Sequence, residues 1–345
     1  MTDSSIWNEE VAVPKVVISY VDPNVKEKLP KGSTVDSISS HGASYWTRTA
    51  HIRTTDQNGE AVSYFLKVQE SIPLMEAQKV SQGDAGRGMM YGEFHSMSAL
   101  HGALPELAPR PIGWGEYANE ADTYFFLCDF HDMTDEVPDA SDFPEMVAKL
   151  HKNGVSPSGK FGFPVPTYQG RLPQDTTECD TWEESFSRGI RRFFELEESS
   201  QGQEHEMTEL REAIMNKVIP KLLRPLETEG RSIIPCLVHG DLWDGNTSVD
   251  SATDRPVIFD ACSSYAHHEC KYCDFLFSYL RCADQNCTLA DELAPWRPTR
   301  HKIGKPYVTE YLKHYPMSEP AKDFDDRNAL YCMYVSEGVA VLPPS

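Results

Sequence analysis

Two short apolar runs in the second half of the chain each lead to an aspartate, and an asparagine lies between these two aspartates. Residues 236–238 lead into Asp241, Asn246 follows five positions later, and a second apolar run, residues 256–259, ends at Asp260. In phosphoryl transfer, one carboxylate orients the attacking hydroxyl and accepts its proton, while an amide and a second carboxylate hold Mg²⁺ on the ATP phosphates. The Asp-to-Asn spacing is that of the protein-kinase catalytic loop. The pattern therefore predicts a phosphotransferase centre using ATP and Mg²⁺. The alternative is that both pieces are ordinary turns after strands.

A lysine and a glutamate upstream extend this pattern. Lys67 lies near the end of a predicted strand, residues 61–68, and Glu93 lies on a predicted helix, residues 89–101. In kinases a strand lysine contacts the α- and β-phosphates and a helix glutamate fixes its position. The alternative is a solvated surface pair. The order of strand lysine, helix glutamate, Asp, Asn and Asp favours the ATP-binding interpretation.

The elements that must position these residues differ between the two parts of the chain. The first part alternates as strands do, with an Asn58-Gly59 hairpin signal between two β-rich runs. The second part has the apolar spacing of amphipathic helices, and Pro220 is expected to kink or divide one of them. The predicted strands are residues 35–40, 45–54, 61–68 and 123–130, and the predicted helices of the second part are residues 143–152, 181–198 and 205–226. We expect an α+β fold with a small sheet-rich lobe, residues 1–130, a larger helical lobe, residues 131–345, and a cleft between them.

Composition excludes several functional classes. The 345 residues contain 32 Lys and Arg against 53 Asp and Glu, a formal charge of −21 that would repel a nucleic-acid backbone. Apolar runs such as residues 124–128 are far shorter than the roughly 18 residues of a membrane span. The acidic N-terminal sequence lacks the basic start of a signal peptide, and nine cysteines, an odd number, fit a reducing compartment. We therefore expect a cytoplasmic protein that binds neither nucleic acid nor membrane.

Five segments resemble one known family. They are residues 239–246 (HGDLWDGN), 259–260, 265–269, 159–163 and 322–328. Together they are similar to the fructosamine kinases, or ketosamine 3-kinases, and most closely to the fungal protein-ribulosamine 3-kinases. The resemblance spans about residues 37–331. It implies a protein-kinase-like fold, ATP and Mg²⁺, and transfer to the 3-hydroxyl of ribulosamines or fructosamines, either free or on glycated proteins. In that family the 3-phosphate destabilises the ketoamine, so that glycation is reversed.

The resemblance also assigns roles to individual residues. These are Asp241 as base, Asn246 and Asp260 as metal ligands, Lys67 with Glu93 as the phosphate grip, and Tyr265, His267 and Glu269 as a segment that shapes the substrate side. For His267 and His268 the alternative is that they are polar loop histidines satisfied by neighbouring groups.

One stretch, residues 270–291, departs from the family pattern. We hypothesise that it is a translated intron, because its ends can be encoded with splice donor and acceptor sequences and its removal restores a His-Glu-Tyr-Glu-Leu pattern. The tail at residues 335–345 can begin with the same donor. The alternatives are a genuine insertion with a naturally short end, or a zinc site formed by cysteines in the stretch.

Two other functions remain open at this stage. One is a kinase acting on an aminoglycoside or another amino-sugar hydroxyl, against which the Trp243 form of the loop argues. The other is a catalytically impaired nucleotide-binding scaffold, which would have no need of Lys67, Asp241, Asn246 and Asp260 together. Sequence alone gives neither the sugar preference nor the oligomeric state.

Overall fold

The computed structural model describes residues 18–42, 47–70, 85–170, 172–270, 296 and 302–337. The chain divides into two compact units, described separately below. One unit comprises Met1–Phe94 and Arg110–His131, and the other comprises His95–Pro109 and Asp132–Ser345.

The first unit is built on a five-stranded antiparallel sheet. The strand order is β1-β2-β3-β5-β4. The bounds are β1, Thr34–Ser40; β2, Arg48–Thr55; β3, Ala61–Glu70; β4, Pro111–Glu116; and β5, Thr123–Asp129, with a short helix α1, Pro23–Lys28. The β2–β3 hairpin closes through the predicted Asn58-Gly59 turn, where Gly59 has a φ of 82° that suits glycine.

The two faces of this sheet have different roles. Leu66 lies opposite Ala50 on β2 and Leu127 on β5, and these side chains join an apolar core that includes Val25 of α1. Lys67 points to the other face because side chains alternate along a strand. There it lies opposite Phe126, against which Phe94 of helix α2, Ala85–Ala103, makes an edge-to-face contact.

The second unit is mainly helical. Its helices are α3, Phe143–Asn153; α4, Trp182–Gln201; α5, His205–Ala213; α6, Ile219–Leu223; α7, Lys305–His314; and α8, Phe324–Glu337. Its short strands form three antiparallel pairs: β6, Tyr168–Gln169, with β7, Leu172–Pro173; β8, Cys236–Val238, with β11, Ser264–Ala266; and β9, Thr247–Asp250, with β10, Arg255–Ile258.

Local sequence signals explain where two helices begin and break. The Thr181 hydroxyl caps α4 by accepting the Glu184 N–H at 3.3 Å, and two acidic residues follow in the first turn. Pro220 removes a helical N–H, and its ring crowds the carbonyl four residues earlier. The predicted helix is accordingly divided, with a π-helical turn, Ile214–Val218, between α5 and α6.

The predicted α+β class is confirmed, while several elements escaped prediction. Strand β4 contains Gly113 and Gly115 and lacks clear alternation, and the strands β6, β7, β9 and β11 are very short. The intron hypothesis concerns residues that lie largely outside the described ranges, with Cys270 and the helical backbone of residues 335–337 inside them. Within the described part of the chain, none of the helices combines the length and apolar character needed to cross a bilayer.

Candidate active site

Lys67 and Glu93 form a shielded ion pair in the first unit. The Lys67 ammonium lies 2.9 Å from Oε2 of Glu93 and 3.1 Å from its Oε1, and each side chain is only 10% exposed. This degree of burial excludes the solvated-surface alternative. The lysine is thus held on the face of the sheet that α2 contacts, by a carboxylate from that helix.

Asp241 follows strand β8 in the second unit. Residues 236–238 are apolar and buried, and β11 pairs with them antiparallel from Cys236 to Val238. The chain then leaves the sheet, and the Asp241 side chain is half-buried. Gly240 makes this exit feasible, since its φ is 93° and a Cβ there would collide with the Cys262 carbonyl.

Asn246 holds Asp241 directly. Its Nδ2 donates to Oδ2 of Asp241 at 2.6 Å and to the Asp241 main-chain carbonyl at 2.8 Å. Both bonds use the amide nitrogen, so Oδ1 of Asn246 is directed away from the Asp241 carboxylate. The backbone N–H of Asn246 donates to the Trp243 carbonyl at 3.0 Å, which closes the loop in a tight turn. The predicted five-residue spacing therefore does bring the two side chains into contact.

Asp260 lies beside the same loop. It follows β10, whose partner β9 begins just after Asn246, and the Phe259 N–H donates to the Asn246 carbonyl at 3.1 Å. The Asp260 side chain is exposed, and its φ of 61° is in the left-handed region that non-glycine residues seldom adopt. Backbone conformations of this kind cluster at functional sites.

His239 connects the two segments, a role that sequence reasoning missed. Its Nε2 donates to the Phe259 carbonyl at 2.9 Å, and its Nδ1 accepts the Asp241 N–H at 3.2 Å. Because a carbonyl only accepts and an amide N–H only donates, the ring must be the neutral Nε2–H tautomer. Burial lowers the pKa of His239 to about 4, which keeps it neutral. Its position two residues before Asp241 in the motif was the available signal.

The donor chemistry here fits Mg²⁺. Magnesium prefers hard oxygen ligands, commonly one or two carboxylates together with substrate phosphates. The Asp260 carboxylate and the Asn246 Oδ1 offer such oxygens on adjoining segments, and these residues would hold the ion.

Residues 159–163, quoted for the family resemblance, lie against the segment that follows Asp260. Gly162 and Tyr265 exchange two backbone hydrogen bonds, at 3.0 and 2.7 Å. Gly162 has a φ of 106°, and a Cβ there would meet the carbonyls of Thr176 and Thr177. Tyr265 itself is half-buried beside the Phe163 ring.

His267 and Glu269 have a different environment from the catalytic loop. Glu269 is 1% exposed, and its carboxylate accepts two bonds from the Arg327 guanidinium, at 2.9 and 3.1 Å. His267 is fully buried between the hydroxyls of Tyr331, at 2.9 Å, and Ser318, at 2.8 Å. Burial holds the pKa of His267 well below its usual range, with a smaller contribution from Arg327. These contacts support the alternative that His267 is satisfied by neighbouring groups, and the contacts of Glu269 give it a structural role as well.

The ligating atoms of His267, His268 and Glu269 lie within 4.8 Å of one another. A cation among them would face the guanidinium of Arg327, which already occupies the carboxylate. The Nε2 atoms of both histidines contact the Ser318 hydroxyl. The arrangement therefore opposes metal binding. Most of the cysteine pattern that suggested zinc lies outside the described residues; Cys270, its first member, is buried.

The chain is similar to known proteins over much of its length. The fructosamine kinase family model matches residues 39–278, which include Lys67, Glu93, Asp241, Asn246 and Asp260. The chain is 27% identical over 307 residues to a chloroplastic protein-ribulosamine 3-kinase of Arabidopsis thaliana, covering 88% of this chain and 77% of that protein. It is 41% identical over 111 residues to a mouse ketosamine-3-kinase, covering 32% of this chain and 33% of that protein.

The fold is also similar to a solved structure. A protein of Haemophilus somnus assigned as a fructosamine-3-kinase superposes with a TM-score of 0.56 at 17% identity, over 89% of this chain and 90% of that one. This likeness confirms the expected protein-kinase-like α+β fold. The relatives described here come from a plant and a mouse, so the closer similarity to fungal members stays a prediction. Because the family model matches residues 39–278, which is more than half of the chain, the chain belongs to the fructosamine kinase family.

Proposed function

We propose that this protein transfers the γ-phosphoryl group of ATP to the 3-hydroxyl of ketosamines. The observation that carries the proposal is the Asp241 carboxylate, held at 2.6 Å by Asn246 where the chain leaves β8. The names of the relatives, protein-ribulosamine 3-kinase and ketosamine-3-kinase, support the acceptor class. Free ribulosamines and fructosamines and those on protein lysines share the reacting hydroxyl.

Each side chain has a defined part in the proposed reaction. Asp241 accepts the proton of the 3-hydroxyl while that oxygen bonds to the γ-phosphorus, and the bond from this phosphorus to the bridging oxygen of ADP breaks. Lys67, fixed by Glu93, contacts the α- and β-phosphates. Asn246 and Asp260 would hold Mg²⁺, which would supply positive charge against the phosphates. His239 keeps Asp241 and the segment before Asp260 in register. In this scheme residues 1–130 grip ATP and residues 131–345 supply the catalytic loop and the acceptor site.

The product explains a role in deglycation. Its new phosphate is on the carbon next to the ketone carbon, where phosphate can be lost by elimination. Hydrolysis of the resulting imine then frees the amine. Phosphorylation would thereby convert a stable glycation product into one that releases the original lysine. We propose that this takes place in the cytoplasm; the plant relative described above is named chloroplastic.

The test is ATP turnover with MgCl₂ on ribulosamine and fructosamine derivatives of lysine, with ³¹P NMR locating the new phosphate. Asp241→Asn should lose activity. Asp244→Asn is the matched control on the same loop, since that carboxylate accepts the Lys302 N–H at 3.2 Å and an amide oxygen can do the same. Phosphate on an aminoglycoside alone, or equal activity of both variants, would contradict the proposal.

A further variant addresses residues 270–291. Replacing this stretch with one Tyr restores the family pattern. Activity in the shortened chain alone would support the intron hypothesis, whereas equal activity in both chains would count against it.

A further inference from the structure

Helix α2 carries a largely shielded glutamate and a fully buried serine three positions apart. Glu93 pairs with Lys67 in the first unit, and Ser96, with no exposed surface, lies one helical turn later. Residues at this spacing share a helix face and are separated by about 4.5 Å along the axis. The Ser96 hydroxyl accepts the backbone N–H of Ser263 at 2.9 Å. Ser263 comes three residues after Asp260.

The segment between Asp260 and β11 needs such external partners. The left-handed φ of Asp260 turns the chain out of β10, and the next strand begins only at Ser264. Each buried backbone N–H and C=O between Asp260 and β11 therefore needs its own hydrogen-bond partner outside a sheet. The Cys262 N–H donates to the His239 carbonyl, and the Cys262 carbonyl accepts from Gln174. Ser96 supplies the acceptor for the following N–H.

The two serines in this contact are not equivalent. The Ser263 side chain is also fully buried, but its Oγ has no hydrogen-bond partner. The contact therefore depends on the hydroxyl of the helix serine and on the backbone of the loop serine. Removing the Ser96 hydroxyl leaves the buried N–H of Ser263 without its hydrogen-bond acceptor, whereas removing the Ser263 hydroxyl breaks no hydrogen bond.

We propose that Ser96 is a positioning residue for the kinase reaction, through which helix α2 fixes the segment that follows the metal-binding Asp260. This proposal rests on the proposed function, from which it takes the role of Asp260.

The experiment measures ATP binding by calorimetry at a series of MgCl₂ concentrations, with no acceptor present. Ser96→Ala should raise the Mg²⁺ concentration needed for half-maximal tight ATP binding by about tenfold. The buried N–H of Ser263 would then lack its acceptor, which disfavours the native position of the segment that follows Asp260. Ser96→Cys keeps the size and offers a weak acceptor, so it should give an intermediate shift. Ser263→Ala should match the unaltered protein.

The outcomes separate the two proposals. Failure of every ketosamine as acceptor would remove the proposed function and leave the Mg²⁺ titration interpretable. An unchanged Mg²⁺ requirement in both Ser96 variants, or an equal shift in Ser263→Ala, would overturn the positioning role. Should Ser96→Ala not fold, Ser96→Cys against Ser263→Ala decides the question. A purely structural contribution would lower the unfolding midpoint and leave the Mg²⁺ requirement unchanged.

Discussion

Two neighbouring segments of the second unit contain the same kinds of side chain and differ in environment. Strand β8 leads into His239 and Asp241, and its antiparallel partner β11 leads into His267 and Glu269. Both histidines are buried, and burial lowers the pKa of each. The two carboxylates differ, since Asp241 is half-buried and held by an amide, whereas Glu269 is 1% exposed and ion-paired with Arg327.

This difference separates a carboxylate that can take part in a reaction, that of Asp241, from one that stabilises the fold, that of Glu269. A carboxylate that accepts a proton from a substrate needs access and must not be neutralised by a fixed cation. Asp241 is only half-buried, and its hydrogen-bond partner Asn246 is neutral. Glu269 forms an ion pair with Arg327 and also accepts the Ser318 N–H at 2.7 Å. The comparison therefore predicts that substitutions near β8 change turnover and that substitutions after β11 change stability.

The largest effect is expected from Asp241→Asn. The amide cannot accept the hydroxyl proton, and general-base catalysis contributes about 10²- to 10⁴-fold, so kcat should fall by that factor. The free energy of unfolding should change by less than about 1 kcal/mol, because the loop is partly exposed. Steady-state kinetics and urea unfolding measure the two quantities. A large loss of stability with retained kcat would reverse the comparison.

Glu269→Gln should have the opposite profile. It leaves the buried Arg327 charge without its counter-ion, which costs about 3–5 kcal/mol of unfolding free energy. Turnover per folded molecule should be unchanged well below the new unfolding midpoint. Glu319→Gln is the matched control, since that carboxylate is exposed and accepts the Ala321 N–H, which an amide oxygen can also accept. Loss of kcat in Glu269→Gln without loss of stability would instead place Glu269 at the substrate.

The pH dependence of His267→Gln sharpens the comparison further. His267 is neutral in the folded protein and takes up a proton on unfolding below its ordinary pKa of about 6.5. Stability from this group is therefore present above pH 6.5 and lost as pH falls. The stability advantage of the unaltered protein over the variant should shrink by about 1 kcal/mol per pH unit between pH 6 and 5. Parallel urea-unfolding curves across this range would show that His267 is charged when folded.

Ser318→Ala should lower stability by less than Glu269→Gln. Its hydroxyl contacts Nε2 of His267 at 2.8 Å and Nε2 of His268 at 3.1 Å, and removing it leaves the two rings short of one partner. The expected cost is about 1–2 kcal/mol in thermal or urea unfolding, with kcat unaltered. An unchanged unfolding midpoint would mean that water or a neighbouring group replaces the hydroxyl.

Much of the fold was predictable because its signals are local. The Asn58-Gly59 turn, the Thr181 cap and the break at Pro220 each act within a few residues, and the structure has all three. Strand β4 escaped because its glycines lack the alternation that marks a strand. The position of β4 is set by its antiparallel pairing with β5, and no pattern within β4 itself indicates that pairing.

The candidate site was predictable to the extent that its residues lie on one loop or follow a known order. The five-residue spacing of Asp241 and Asn246 fixes their contact through a single tight turn, and the order of Lys67 and Glu93 matches the kinase pattern. Nothing in the spacing of residues 265–269 distinguishes a substrate contact from a buried support. That distinction depends on Arg327, Ser318 and Tyr331, which come from about 50 to 64 positions further along the chain.

The sequence by itself determined which chemistry the chain can carry out, because carboxylate, amide and lysine side chains have fixed donor and acceptor properties and their order marks the family. The tertiary structure decided which of those groups remain accessible. Burial and the partners brought in from distant helices set the protonation state of His239 and commit Glu269 to an ion pair. The Ser96 hydroxyl of helix α2 likewise accepts a hydrogen bond from the segment that follows Asp260.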